Sequence, residues 1–288
     1  MSSGGPERQA SRTALMVAAY RARASTRPNP LISDRWAAQL AGAEGEAIAM
    51  EVDSFLQERE LWVAVRTAFI DDEVVRWTHH ASPSAPAQVV ILGAGFDTRA
   101  ARFARPGVKF FEVDQPASQR EKLDRLARIA EYPHHAATHV ACDFEKDDFL
   151  ERLQAGGFKV DAPALIVWEG VTPYLHEPAI RATLKRIAHG CHPRTTVVFD
   201  HLTKAFVQGT PKSEADAKSH EIVAALGERF VWGTNDALPL LYEEGFRHVR
   251  TVSFDEIALT LTGTYDRARQ FRFQRIVVAS PTRPPALD

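Results

Sequence analysis

The chain has little that would tie it to a metal, a membrane or a polyanion. Its two cysteines, Cys142 and Cys191, are too few for a disulfide framework and lack metal-ligand spacing, which points to a reducing cytosol and no metal site. No apolar run approaches the length of a bilayer span, and the N-terminus lacks the basic-then-apolar pattern of a secretory signal. The expectation is a cytoplasmic protein without a membrane partner. Positive charge is not in excess, since 35 Lys and Arg stand against 37 Asp and Glu. A chain so balanced has no electrostatic footprint for a phosphate backbone, so a small ligand is expected rather than nucleic acid. No internal repeat is present.

Of the 288 residues, 45% are hydrophobic and 25% charged, which is enough for either one large α/β domain or such a domain with an appended cap. Residues 1–10 are small, polar and glycine-containing and are expected to form a flexible tail. Helical periodicity begins at Ser11, with Ala14, Leu15, Ala18 and Ala19, and stops at the prolines Pro28 and Pro30. A second helix is expected over 34–40. A third is expected over 51–77, where Phe55, Leu61, Val65, Phe69 and Val74 recur near a 3.6 period. Residues 11–81 thus read as a helical cap, and the proline-rich stretch 82–87 as the entry to a core spanning 82–288.

That core changes rhythm. Apolar, β-branched runs at 88–92, 109–113, 139–141, 164–168 and 195–199 alternate with helical segments at 118–129 and 178–189, the pattern of βαβ units and a parallel sheet. A polar, helix-compatible segment at about 202–235 could form a lid. A further helix at 238–244 ends at Gly245, a residue suited to a left-handed cap. Two segments at 249–254 and 272–279 are patterned as final strands.

The strongest local signal is Val89-Val90-Ile91-Leu92-Gly93-Ala94-Gly95-Phe96-Asp97-Thr98-Arg99, a strand feeding into a glycine turn and then a helix. Glycines let the backbone approach a ligand where a Cβ would clash. Asp114, at the end of the next strand, can accept hydrogen bonds from both ribose hydroxyls of a nucleoside, with Gln115 beside it. Thr98 stands where a dinucleotide fingerprint expects a third glycine, and Asp97 sets negative charge where a pyrophosphate would sit. Both features favour a cationic nucleoside such as S-adenosylmethionine over a nicotinamide dinucleotide. Asp143 and Phe144 combine an acceptor with an aromatic face, as an adenine requires. The fourth strand runs into Trp168-Glu169-Gly170-Val171-Thr172-Pro173-Tyr174-Leu175, where Glu169 opens into the crevice and could pair with an ammonium group.

Taken in order, GAGFDTR, FEVDQP, CDF and WEGVTPYL resemble the leucine carboxyl methyltransferase family, including its bacterial O-methyltransferase branch with polyketide-tailoring members. The likeness spans roughly 11–280. It implies a Rossmann-like class I methyltransferase fold with a mostly parallel seven-stranded sheet, S-adenosyl-L-methionine as cofactor, and methyl transfer to a small-molecule hydroxyl or carboxyl group, with a role in secondary metabolism. By the same resemblance, Gly93 with Ala94, Gly95 and Asp97 matches the methionine-side turn. Asp114 with Gln115 matches the ribose site, Asp143 and Phe144 the adenine pair, and Glu169 with Gly170 the site near the amino group. Arg66 matches the arginine that clamps the methionine carboxylate. A further basic residue of the first helix corresponds to Arg21 or Arg23.

The carboxyl-peptide site of the phosphatase-modifying members is not recognisable, and the first helix reads RARASTRPNPLISD. A small-molecule acceptor is therefore expected ahead of the two alternatives, protein carboxyl methylation and a nicotinamide-dependent oxidoreductase on the same fold class. His201, just past the fifth strand, is the candidate base, although a histidine satisfied by hydrogen bonds at a strand end is the commoner case. Tyr20, Trp168 and Tyr174 are candidates for the acceptor pocket, with core packing as the alternative.

Overall fold

The central strands are short apolar runs because both of their faces must be covered. In the computed structural model, which describes residues 12–283 except 55, 57, 80, 145, 212 and 213, β1 (Ala87–Leu92), β4 (Ala164–Trp168) and β5 (Thr196–Leu202) are buried along almost every residue. With β2 (Val108–Asp114), β3 (Ala137–Ala141), β6 (His248–Ser253) and β7 (Gln274–Ser280) they form one seven-stranded sheet in the order β3-β2-β1-β4-β5-β7-β6. The first five strands in that order are parallel, and β7 runs antiparallel to both β5 and β6. Strand order reverses between β1 and β4, so connections leave in opposite directions and a crevice opens at the carboxyl ends. This is the mixed, mostly parallel α/β sheet that the strand pattern implies.

Three helices precede the sheet: α1 (Arg12–Ala24), α2 (Ala37–Asp53) and α3 (Arg59–Thr78). α2 starts later and runs further than the 34–40 its sequence pattern suggests, resuming beyond an internal break at Gly42 (φ 58°, ψ −170°). The third helix begins eight residues later than expected, after Glu58 turns the chain at φ 73°. α1 and α2 approach closely at Gly45, where an added Cβ would lie 2.7 Å from the Leu15 carbonyl oxygen. Leu15, Trp36, Leu40 and Ile48 bury their side chains together with Phe96, Leu126 and Tyr132 from the sheet domain. The tail expected at 1–10 lies outside the described residues.

Around the sheet lie α4 (Arg99–Arg102), α5 (Pro116–Leu126), α6 (Phe149–Ala155) and α7 (Glu177–Gly190). The polar segment after β5 folds as α8 (Lys204–Gln208) and α9 (Glu214–Ala225). α10 (Leu238–Glu243) ends at Gly245, which has φ 105°, as its sequence implies. α11 (Phe254–Thr262) starts where the sixth strand was expected to finish. Among the described residues no helix is long and apolar enough to cross a membrane, and no cluster of side chains could hold a metal ion.

Candidate functional site

At the carboxyl ends of β1, β2 and β4 lies a cleft of about 1200 Å³. Its floor is the turn after β1. Gly93 and Ala94 donate to the Val113 carbonyl at 2.8 and 3.2 Å, which ties the turn to β2. Gly93 has φ 65°, and a Cβ there would lie 2.5 Å from Val171 Cγ2, so only glycine lets this backbone pass. Asp114 Oδ2 accepts from the Gly95 N–H at 2.6 Å and Oδ1 from the Gln115 N–H at 2.7 Å. Burial pushes the Asp114 carboxyl up despite those two bonds. Each oxygen retains the capacity to accept a second hydrogen bond. Asp143 and the half-buried Phe144 border the same cleft, with the Gln115 side-chain amide 3.4 Å from Asp143 Oδ1.

Beside the turn the charges are interlocked. Glu169 Oε1 lies 2.7 Å from Arg66 Nε, and Glu169 Oε2 accepts from Arg99 Nη1 at 2.6 Å. Arg99 also reaches Asp71 at 2.7 Å and Asp97 at 2.5 Å. Arg66 meets Asp200 at 3.3 Å, and Asp200 accepts from the Gly170 N–H at 2.6 Å and from Gln274 Nε2 at 2.7 Å. Arg102 binds Asp71, and Arg21 binds Asp34 at 2.9 Å while donating to the Phe96 carbonyl. Burial alone would raise the Glu169 carboxyl, but Arg99 and Arg66 outweigh it and hold Glu169 below its ordinary value. Asp97 is likewise desolvated, yet Arg99, Arg21 and Lys122 bring it down to about 2. The network thus interleaves Arg21, Arg66, Arg99 and Arg102 with Asp34, Asp71, Asp97, Glu169 and Asp200, while Lys122 donates to the Asp97 carbonyl. Within it, the Glu169 carboxylate can take up a cation such as an ammonium, and the Arg66 guanidinium beside it an anion such as a carboxylate.

Most of the residues singled out in the sequence come to this cleft. Arg21, Arg66, Gly93, Ala94, Gly95, Asp97, Asp114, Gln115, Asp143, Phe144, Glu169, Gly170 and Tyr174 all border it. Of the two basic residues left open in the first helix, Arg21 lines the cleft, whereas Arg23 pairs with Glu46 and Asp53 away from it. The Asp97 carboxylate is held by Arg99, through the side chain and the backbone N–H, so it braces the turn.

Three of the residues singled out in the sequence do not border the cleft. Tyr20 is fully buried between α1 and α2, donating to the Ala49 carbonyl and to Asp53. Trp168 is 1% exposed and packs 6.2 Å from the Phe199 ring in the core. His201 is 0% exposed, with Nδ1 3.1 Å from the Leu202 carbonyl oxygen and its ring edge-on to Trp232 at 6.0 Å. Burial pushes its imidazole below its ordinary value. Strand alternation explains the last case, because Asp200 points to the cleft side of β5 and its neighbour must point away.

A second, smaller cavity of about 40 Å³ adjoins the cleft beneath α8 and α9. Thr13, Trp62, Arg66, Gly170 and Tyr174 border both spaces. Tyr174 stacks on Phe230 at 5.6 Å, and burial drives its phenol well above the ordinary range. Arg59, Trp62, Arg99 and Asp200 were not foreseen as site residues. Arg99 sits within the glycine-turn run and Asp200 directly before His201, whereas nothing local in the sequence marks Arg59.

The family model described as leucine carboxyl methyltransferase matches residues 14–188. A Mycobacterium avium protein named for S-adenosyl-L-methionine-dependent methyl transfer is 32% identical over 258 residues, covering 85% of this chain and 79% of its own. A Streptomyces coelicolor protein named likewise is 37% identical over 183 residues, covering 61% and 63%. Among solved structures, a DUF574 family protein of Streptomyces avermitilis superposes with a TM-score of 0.64 at 11% identity over 92% of this chain and 97% of its own. A Thermobifida fusca structure named for methyl transfer gives 0.62 at 14% identity over 94% and 95%. At such identities these two speak for the fold alone. The match to the family model and the Mycobacterium relative, together with the glycine turn, Asp114 and Glu169 around one cleft, lead to one statement: the chain belongs to the leucine carboxyl methyltransferase family.

Proposed function

We propose that this chain transfers a methyl group to an oxygen of a small-molecule acceptor. It is an S-adenosyl-L-methionine-dependent methyltransferase by family, and what is proposed is the acceptor and the residue roles. The observation that carries the reading is the gathering of the Gly93 turn, Asp114, the Asp143–Phe144 pair and the Glu169–Arg66 ion pair around one cleft large enough for a nucleoside and an acceptor together. The residues present fit the cofactor. The left-handed turn at Gly93 and Gly95 brings bare backbone to the cleft, Asp114 offers acceptor capacity for ribose hydroxyls, and Phe144 beside Asp143 offers a face and an acceptor for adenine. Glu169 would take the ammonium of the methionine part and Arg66 its carboxylate, exchanging one internal ion pair for two external ones. When bound, the sulfonium supplies an electrophilic methyl that needs only an aligned nucleophile.

The chain's own task is then to align the acceptor oxygen and exclude water. The small cavity and the Tyr174–Phe230 pair supply apolar walls for that purpose. With His201 in the core and Tyr174 held protonated, neither serves as a base at neutral pH. An acceptor that arrives ionised, a carboxylate or an acidic phenol, suits this site best. A protein C-terminal carboxylate is compatible with the same family, but a cavity of about 40 Å³ favours a small molecule. A tailoring role in secondary metabolism belongs to this proposal and rests on the motif likeness. Calorimetric titration with S-adenosylhomocysteine and NADH, followed by a mass-spectrometric screen of carboxylic acids and phenols for the gain of one methyl, tests it. Binding of NADH alone would overturn it.

A further inference from the structure

Among the described residues, Arg59 is a buried cation without a carboxylate partner. It is 8% exposed, at the first residue of α3, and its Nη2 donates to Ser219 Oγ of α9 at 2.8 Å. Among the described residues no carboxylate pairs with it. The other three buried arginines, Arg21, Arg66 and Arg99, each meet at least one. Its remaining company is aromatic, with the guanidinium carbon 5.1 Å from the Trp62 ring and 5.9 Å from that of Phe271. The positive end of α3 adds to the same sign, the reverse of what stabilises a helix start. Burial without a counterion lowers the guanidinium to about 10, the shift expected of a desolvated cation with nothing to offset it.

The neighbours of Arg59 are also short of partners. Trp62 Nε1, buried where the two cavities meet, donates to no described group. Thr13 Oγ1, bordering the same spaces, is unpaired among the described residues as well. An unpaired buried donor carries its full desolvation penalty, and a buried unpaired charge carries more. Three such groups around one cavity, in a protein whose other buried arginines are all matched, indicate that a ligand completes them.

We infer that Arg59, with Trp62 Nε1, forms an anion-recognition site that holds a carboxylate of the methyl acceptor, with Ser219 of α9 closing on the same guanidinium. Arg59 is thus a positioning and specificity residue. This deepens the proposed function and rests on the cleft being the cofactor site. A guanidinium matches a carboxylate bidentately, and Trp62 Nε1–H is a fixed donor beside it. The aromatic faces of Trp62 and Phe271 shield the pair from water, which strengthens it.

The test uses the full chain loaded with S-adenosylhomocysteine. Acetate, benzoate and phenylacetate are titrated against their primary amides at fixed ionic strength, by calorimetry and tryptophan fluorescence. Wild type is expected to prefer at least one acid over its amide by about ten-fold or more, and Arg59→Met to bring that ratio to about one. Affinity for S-adenosylhomocysteine should be alike in both proteins. A purely structural arginine would instead show itself as a lowered melting temperature in ligand-free Arg59→Met with the acid preference kept. That result, or the absence of any acid preference in wild type, would overturn the inference. Failure of wild type to bind S-adenosylhomocysteine would strike the cofactor reading itself, a separate and recognisable outcome.

Discussion

Glu169 and Arg66 form an ion pair at 2.7 Å, and Arg99 completes the bridge from the other carboxylate oxygen at 2.6 Å. Removing the acid leaves two guanidinium groups buried side by side with less countercharge. Breaking such a pair costs far more than its net contribution, so Glu169→Ala is expected to destabilise the protein by about 3–5 kcal/mol. Glu169→Gln keeps the shape and loses the charge. It should fold more readily and still bind S-adenosylhomocysteine about 10–100-fold more weakly, the value of a hydrogen bond to a charged group. Denaturant melts and calorimetry on both variants check this. Equal affinity in Glu169→Gln and wild type would show that the amino group is held elsewhere.

The turn under the cleft makes a sharper test. Gly93→Ala places a Cβ 2.5 Å from Val171 Cγ2 at φ 65°, so it incurs both a clash and a strained backbone. The expected loss is about 2–4 kcal/mol from the two together. Adding Val171→Ala removes the clash alone. The double variant should therefore recover part of the loss and never all of it, as read from denaturant midpoints.

Acid stability should depend on Asp97. Its carboxyl is desolvated, but Arg99, Arg21 and Lys122 hold it at about 2 against an ordinary 3.8. A depressed folded value means the stabilisation is complete above pH of about 4 and is lost as pH falls towards 2. For a group this deeply buried the lost part is about 2 kcal/mol. Asp97→Asn should be less stable at pH 7 and show a flatter decline between pH of about 4 and 2, measured by urea unfolding across that range. Asp114 has the opposite sign. Its carboxyl is raised by burial, so its contribution is complete below the ordinary value and weakens as pH climbs through the folded one.

Much of this architecture was legible in the residues themselves. The buried runs of β1, β4 and β5 need apolar side chains on both faces, and the glycine turn needs left-handed backbone, so each leaves a local trace. α11 also left one: Ser253 and Glu256 form a capping box, a start signal that the strand-like Val249–Phe254 pattern masked. Pairing of the charges left none. Arg99 finds Asp71 and Glu169 only once α3, β1 and β4 are brought together, and Arg59 meets Ser219 across 160 residues of chain. Side-chain direction was the other gap. A histidine next to an aspartate at a strand end could face either way until the register of β5 against β4 and β7 was known.

That register makes His201 the clearest separation of the two readings. Its ring lies against Trp232 and Phe199, and Nε2 has no hydrogen-bond partner among the described residues. A base must reach the proton it removes, directly or through one water, and a fully buried ring on the far side of β5 does neither. His201→Phe replaces the imidazole by a ring of similar size and removes the unpaired nitrogen. Its stability is expected to stay within about 1.5 kcal/mol of wild type, as for a near volume-conserving core swap. Its rate of methyl transfer and the pH profile of kcat/KM should match wild type. Loss of an inflection near neutral pH in His201→Phe, with the fold intact, would return His201 to the role of base and require β5 to turn its end into the cleft during turnover.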